Sequence, residues 1–354
     1  MKKILVAAAI MVSMISCSKD QTISLNQEAI GFDNAFINNS TKSVNDPSWS
    51  NDNLFQNFAV YGYVENASLF NNVKVTGSSL NDVWTYDNTQ YWIAGAKYNF
   101  AAIAPYNNGT VDVFNVAKNS DDYVGTTVLN FENTDGTNDI LYAQNSQIIG
   151  ASSDNAKISF SFRHLLSKVK FSFENAYNAS TATIKVYDIQ IENAWQNATA
   201  TLGTTSTEWG NQNNTKTIIF GNASDDEATV DAKEAIEVAY AYGKTYESLN
   251  ERLLIPGVAP EVTYNKVDAN GTTSVTEKAY KVTFKVDLLV NGTLIKTYNH
   301  TAYAKFTPEA GNSYDIKTTI NASNIDPEKS QEPIEFTVNT INDWDTDKEN
   351  QSIN

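Results

Sequence analysis

Cysteine occurs once in these 354 residues, at Cys17, and arginine only twice, at Arg163 and Arg252. A single cysteine excludes any intramolecular disulfide, so whatever folds here stands on packing alone. Histidine is equally scarce, at His164 and His300, and no H-x-x-x-H spacing exists to begin a zinc site. No G-x-S-x-G stretch offers a nucleophile elbow, and nothing in the chain asks for a cofactor. Beyond the first sixteen residues no apolar run approaches bilayer-spanning length. Positive charge is short too: 25 lysines and arginines face 41 carboxylates, for a net charge of −16 and a pI near 4.5. That balance argues against binding nucleic acid or an anionic lipid surface.

What is present begins with Met1-Lys2-Lys3, an apolar run from Ile4 to Val12, and then Met14-Ile15-Ser16-Cys17. A charged, apolar, small-residue order is that of a secretory signal, and this one is too short to cross a bilayer. Its end lacks an A-x-A-like site and has an apolar, small, Cys triplet instead. This resembles the lipobox of bacterial lipoproteins, in which the cysteine is acylated and becomes the first mature residue. Residues 1–16 are therefore expected to be a lipoprotein signal peptide, Cys17 the lipidation site, and 17–22 a polar tether to the membrane. The plainer alternative is a soluble secreted protein with an incidental cysteine. Ser18 rather than aspartate after the cysteine favours, by analogy with other lipoproteins, the cell outer membrane.

Almost every periodic stretch has period two, and Tyr, Phe, Val, Ile and Thr are abundant. Tyr280, Val282, Phe284, Val286 and Leu288 alternate with Lys281, Lys285 and Asp287, and Asn291-Gly292 follows, which predicts a hairpin. In Ile158-x-Phe160-x-Phe162-x-His164-x-Leu166 and then Val169-x-Phe171-x-Phe173 the apolar parity flips, implying a bulge or break near Ser167-Lys168. Further strands are expected at Phe58–Val64, Tyr91–Pro105 in pieces, Val128–Phe131, Ile184–Ile191, Ile218–Phe220, Ser313–Ile320 and Ile334–Val338. Asp231–Ala241 and Tyr246–Leu254 each carry a faint helical pattern. The whole reads as all-β, of the sandwich kind, with a boundary in the small, polar stretch Gly150–Asn155. That divides the chain into domains at 23–150 and 151–345, with a polar tail at 346–354.

Chemistry finds little support in the residues. His164 alternates with Phe160 and Phe162 and is expected to face a core or a seam; His300 is expected at a surface or strand end. Asp343-Trp344-Asp345-Thr346-Asp347 opens like a calcium loop, but Lys348 and Asn354 stand where glycine and the bidentate carboxylate belong. No pair of carboxylates is singled out for glycoside hydrolysis. Trp84, Tyr86, Tyr91 and Trp92 cluster within nine residues and are either core or a set of rings for stacking on sugars.

The order of segments carries more. Phe58–Tyr63 is followed by Trp84-Thr85-Tyr86, Tyr91-Trp92, Tyr98-Asn99-Phe100 and Ala104-Pro105. Asp139-Ile140-Leu141-Tyr142-Ala143, Phe162–Val169, Leu253-Leu254-Ile255-Pro256, Phe306–Tyr314 and Val338…Trp344 come after. Together these resemble the fimbrillin-like lipoproteins, subunits and accessory components of type V pili, over nearly the whole mature chain. The resemblance implies two tandem β-sandwich domains of transthyretin-like topology and no enzymatic activity. It also implies export with a lipid anchor, removal of an N-terminal segment by a trypsin-like protease, and assembly by strand addition between subunits. Carried onto this chain, it makes Lys42 the candidate processing residue, preceded by the short stretches Ile23-Ser24-Leu25 and Ile30-Gly31-Phe32, and Ile334, Phe336 and Val338 the candidate donor strand; the alternative is that both regions are ordinary strands completing their own domains. The family favours arginine at the cut, and none precedes Arg163. The implied partners are other pilus subunits, a host or bacterial surface ligand, and a membrane held through lipid, with the fimbrium or outer membrane as location. The alternative is a non-polymerising surface lipoprotein that binds glycans.

Overall fold

The computed structural model describes residues 28–37, 57–77, 84–106, 110–119, 122–150, 157–177, 182–220, 236–238, 244–247, 251–268, 271–328 and 334–341. Cys17, Lys42, the 17–22 tether and the 346–354 tail lie outside them. Every regular element among the described residues is a strand. In chain order they are β1 (Gly31–Ile37), β2 (Asn57–Val64), β3 (Ala67–Thr76), β4 (Lys97–Ala104), β5 (Thr110–Asn119), β6 (Asp122–Glu132) and β7 (Leu141–Ile149). Next are β8 (Lys157–His164), β9 (Ser167–Asn175), β10 (Ala182–Leu202), β11 (Thr207–Ile219), β12 (Ile236–Val238), β13 (Lys244–Glu247) and β14 (Arg252–Leu254). The last are β15 (Glu261–Asp268), β16 (Gly271–Lys278), β17 (Tyr280–Val290), β18 (Thr293–Ala304), β19 (Ser313–Ile320) and β20 (Thr337–Ile341).

Three large sheets result. The first has the order β1-β8-β7-β4-β2-β3. The second runs β18-β17-β10-β6-β5, with β11 and β12 also on β10. The third runs β13-β9-β19-β20 with β14 on β9, while β15 and β16 pair by themselves. One core lies between the first and second sheets, where Ala101, Ile103 and Tyr142 meet Leu129, Ala200 and Leu202. Another lies between the second and third, where Ile184, Val186 and Phe284 meet Phe171, Phe173 and Ile316. This is sheet-on-sheet packing, an all-β sandwich architecture.

Local sequence explains most of it. In β17 Tyr280, Val282, Phe284, Val286 and Leu288 are buried and the intervening residues half-exposed. Asn291 and Gly292 turn at φ of 51° and 76°, and Val290 pairs with Thr293 across the hairpin. The parity flip is real: β8 buries Phe160, Phe162 and His164, and β9 buries Val169, Phe171 and Phe173. Between them Leu165 and Leu166, both fully buried, interrupt the strand. Because β8 belongs to the first sheet and β9 to the third, the flip is where the chain passes between cores. In β4, by contrast, Tyr98 through Ala104 are all buried without alternation. The first sheet is covered on both faces, by the sandwich core on one and by a second cluster around Phe32, Phe58, Trp84 and Trp92 on the other.

Two expectations change. The stretches with a faint helical pattern contain strands: β12 pairs with β10, and β13 and β14 pair with β9. Ladder pairing outweighs the propensity of such short segments. The strand expected at Ile184–Ile191 extends over 21 residues. Its Ala182–Ile191 portion pairs with β17 and its Asn197–Leu202 portion with β6, so one strand serves both cores. The second portion buries Ala198, Ala200 and Leu202, an alternation that alanine makes quiet in a hydrophobicity pattern.

Candidate functional site

Two strands at sheet margins are seated in ways that bear on function. The first is β1. It pairs parallel with β8 from Gly31 opposite Lys157 to Ile37 opposite Phe162, and it ends the first sheet. The residues just before it are clamped from the other side: Ile30 N–H donates to Gln90 O (2.8 Å) and Trp92 N–H to Glu28 O (2.9 Å). Tyr86 Oη donates to Ile30 O at 2.6 Å, and burial raises that phenol above its ordinary pKa. Phe32, 1% exposed, then enters a nest of five rings. Centroid distances are 6.3 Å to Phe58, 5.7 Å to Phe70, 5.4 Å to Tyr86, 6.4 Å to Phe100 and 5.9 Å to Phe160. A Cβ at Gly31 would come within 3.2 Å of the Lys157 side chain, so a larger residue there would require that exposed lysine to shift.

The second is the C-terminal stretch. β20 pairs antiparallel with β19, Val338 opposite Ile316, and lies at the margin of the third sheet. Ile334, Phe336 and Val338 pack, half-buried, against the core between the second and third sheets. Phe336 sits 5.8 Å from Phe171 and 6.2 Å from Phe284, and Thr318 Oγ1 donates to Glu335 O at 2.8 Å. The alternation read from the sequence at 334–338 thus corresponds to one face laid on the core between the second and third sheets, with ladder pairing beginning only at Thr337.

The join between the sandwiches gathers both arginines and His164. Arg163 donates to Gly203 O (2.8 Å), Thr204 O (3.0 Å), Ser206 O (2.7 Å) and Thr207 Oγ1 (3.3 Å), and lies over the Tyr142 ring. Its role is to hold the β10–β11 turn, a task for which a planar fork of donors is suited. Arg252 Nε donates to Ile219 O, and burial lowers the pKa of both guanidinium groups. His164 is buried with Nδ1 bonded to the Asp139 carboxylate. Trp209 Nε1 donates to Leu165 O and Trp195 Nε1 to Val258 O, tying the seam on either side. His164 therefore sits at a seam, as its alternation with phenylalanines implied.

His300 differs from expectation. It is 4% exposed and stacks on Phe284 at 5.1 Å, because β18 turns it inward with Ala302 and Ala304. Of the aromatic cluster, Trp84 and Trp92 are 3% and 4% exposed and cap the outer face of the first sheet; only Tyr91 is openly exposed. Those rings are core, covering β1 and β4. Ile30-Gly31-Phe32 was legible as a short apolar stretch ahead of Lys42, but three residues do not reveal that Phe32 is the central ring of a nest.

A family model described as fimbrillin-like matches residues 41–344. Among solved structures, a proposed cell adhesion protein from Bacteroides uniformis aligns with a TM-score of 0.45 at 16% identity, covering 90% of this chain and 98% of that one. One from Bacteroides eggerthii gives 0.44 at 14%, covering 90% and 96%. The fimbrial anchor protein Mfa2 from Porphyromonas gingivalis gives 0.30 at 10%, covering 90% and 98%. No curated protein matches the sequence.

Proposed function

We propose, since the chain belongs to the fimbrillin-like family, that it is a structural or accessory component of type V pili, an anchor or tip subunit included, acting in cell adhesion. It is a non-enzymatic protein, exported, acylated at Cys17 and displayed at the cell outer membrane or within the fimbrium. Two sandwich units make it up, and residues 157–164 and 197–202 are lent to the first by the part of the chain that follows residue 150. It joins other subunits by strand addition, in which main-chain bonds supply affinity and alternate side chains fill pockets.

The seating of β1 carries this reading. The strand is terminal in its sheet, lies a few residues before Lys42, and fills a five-ring nest with Phe32. A cut at Lys42 followed by departure of β1 would bare the edge of β8 and that nest together. A donor strand with an aromatic or branched residue in register would replace both. The candidate donor here is Ile334–Val338, which leaves its own core by releasing three half-buried side chains rather than fully buried ones.

The test is to treat the lipidated precursor with a Lys/Arg-specific protease, sequence the new N-terminus by mass spectrometry, and run unboiled gels. Cleavage at Lys42 with detergent-resistant ladders is expected, and both should vanish in Lys42→Ala. Ladders should also vanish on deleting 334–354, with cleavage intact. A clean cut at Lys42 that leaves a monomer would overturn strand addition.

A further inference from the structure

The open side of the C-terminal sandwich contains a cleft of about 410 Å³, within the range of roughly 300–1,000 Å³ common to small-ligand sites. β15, β18 with Lys305, and Ile334–Phe336 form its walls. Tyr264 and Tyr303, one from each of the first two walls, lie stacked with ring centroids 3.8 Å apart and planes 15° from parallel. The pair is locked from behind. Tyr264 Oη donates to Glu277 Oε1 at 2.6 Å, and Lys305 Nζ lies 2.6 Å from the other carboxylate oxygen. Desolvation first, and the Glu277 carboxylate second, push the Tyr264 phenol up to about 12. It stays a neutral hydroxyl at any physiological pH.

The inner lining includes His300. The Ile325 backbone bonds one ring nitrogen, and Nε2 has no hydrogen-bond partner among the described residues. At the rim stand Asn265, Lys266, Thr301 and Glu335, all exposed. In a chain of net charge −16, this cleft is close to neutral: Lys305 is paired with Glu277, and Lys266 shares the rim with Glu335.

We propose that this cleft binds a neutral hexose carbohydrate, with the Tyr264–Tyr303 pair as the stacking surface and the rim amide, hydroxyl, ammonium and carboxylate groups as its hydrogen-bond partners. Rigid aromatic rings beside a few placed polar groups match a ligand with apolar C–H faces and a hydroxyl perimeter. A charged ligand is disfavoured because each cation already has a carboxylate near it. The lining offers two stacked rings beside an amide, a hydroxyl, an ammonium and a carboxylate group. The proposal holds whether or not the chain polymerises. If it does polymerise, the same Ile334–Phe336 segment is both cleft wall and lead-in to β20, so bound sugar opposes its departure by mass action.

Isothermal titration calorimetry of the mature protein against short soluble glucans, galactans and mannans, with an acidic oligosaccharide and an extended peptide as comparison ligands, tests this. At least one of the neutral sugars should bind saturably. Tyr303→Ala should weaken it by roughly tenfold or more, about 1.4 kcal/mol, and Thr301→Trp, which adds bulk at an exposed lining position, should block it. Tyr91→Ala, at an exposed ring in the other sandwich, should leave it unchanged. Near-UV circular dichroism checks the fold of each variant, and Thr301→Trp stands in if Tyr303→Ala does not fold. No saturable binding by the wild type, binding only to acidic sugars or peptides, or binding that survives Thr301→Trp would each overturn the proposal. Ladder formation is read on a separate gel, so either result stands without the other.

Discussion

Phe32 concentrates in one side chain the dependence of the first sheet on a segment outside its contiguous sequence. A fully buried phenylalanine cut to alanine costs about 3–5 kcal/mol in a core that collapses poorly, and five flanking rings leave little room to collapse. Phe32→Ala in the precursor should lower the urea midpoint accordingly; an unchanged midpoint would mean that β1 adds nothing to stability. His300 makes a pH prediction. Burial holds its pKa down to about 4, against weaker opposing pulls from the Ile325 backbone and Asp326. The folded imidazole stays neutral while the unfolded chain takes up a proton near pH 6.5. The stability it contributes is complete above about pH 6.5 and is lost as pH falls towards 4, at about 1.4 kcal/mol per pKa unit. Wild type and His300→Gln should therefore differ in urea midpoint by an amount that shrinks across that interval. A constant difference would refute the assignment. At this scale His164 was legible from its alternation, while His300 was not, because nothing in Tyr298–Ala302 says which face of β18 meets the core.

Among the elements, the β17–β18 hairpin was the most readable, because turn and flanks give independent signals that agree. Its turn supplies a clean test. An alanine Cβ at Gly292 would touch nothing within 4 Å, yet φ there is +76°. Gly292→Ala should cost about 1–2 kcal/mol through backbone strain alone, measured by chemical denaturation; a neutral result would mean that the turn relaxes to another type. Harder to read were strands that lack a visible period two. β4 is apolar on both faces because both are covered, and the second portion of β10 alternates through alanines too small to register as a pattern. β12, β13 and β14 are too short for any pattern and exist as strands only through the partners that pair with them.

For the molecule as a whole, β10 is the deciding element. Its 21 residues pass through both cores without a break. Trp195 and Trp209 then tie the seam with bonds to main-chain carbonyls. Unfolding either sandwich would fray the shared strand of the other. Calorimetry of the mature protein should accordingly show one transition, with calorimetric and van't Hoff enthalpies in agreement. Two resolved transitions would show that the seam yields first and that the sandwiches stand independently.

The sequence by itself determined the all-β class, the hairpin, the change of parity between β8 and β9 and the fimbrillin-like resemblance. All are local or ordered signals: side-chain alternation, a φ-positive dipeptide, and a succession of segments along the chain. Only the tertiary structure decided that β1 plugs the first sheet, that Trp84 and Trp92 are core, that β10 is shared, and that Tyr264, Tyr303 and Ile334–Phe336 meet around one cleft. The physical reason is the same in each case. Burial and pairing depend on what covers a strand from elsewhere in the chain, and no short-range pattern records a partner that lies dozens of residues away.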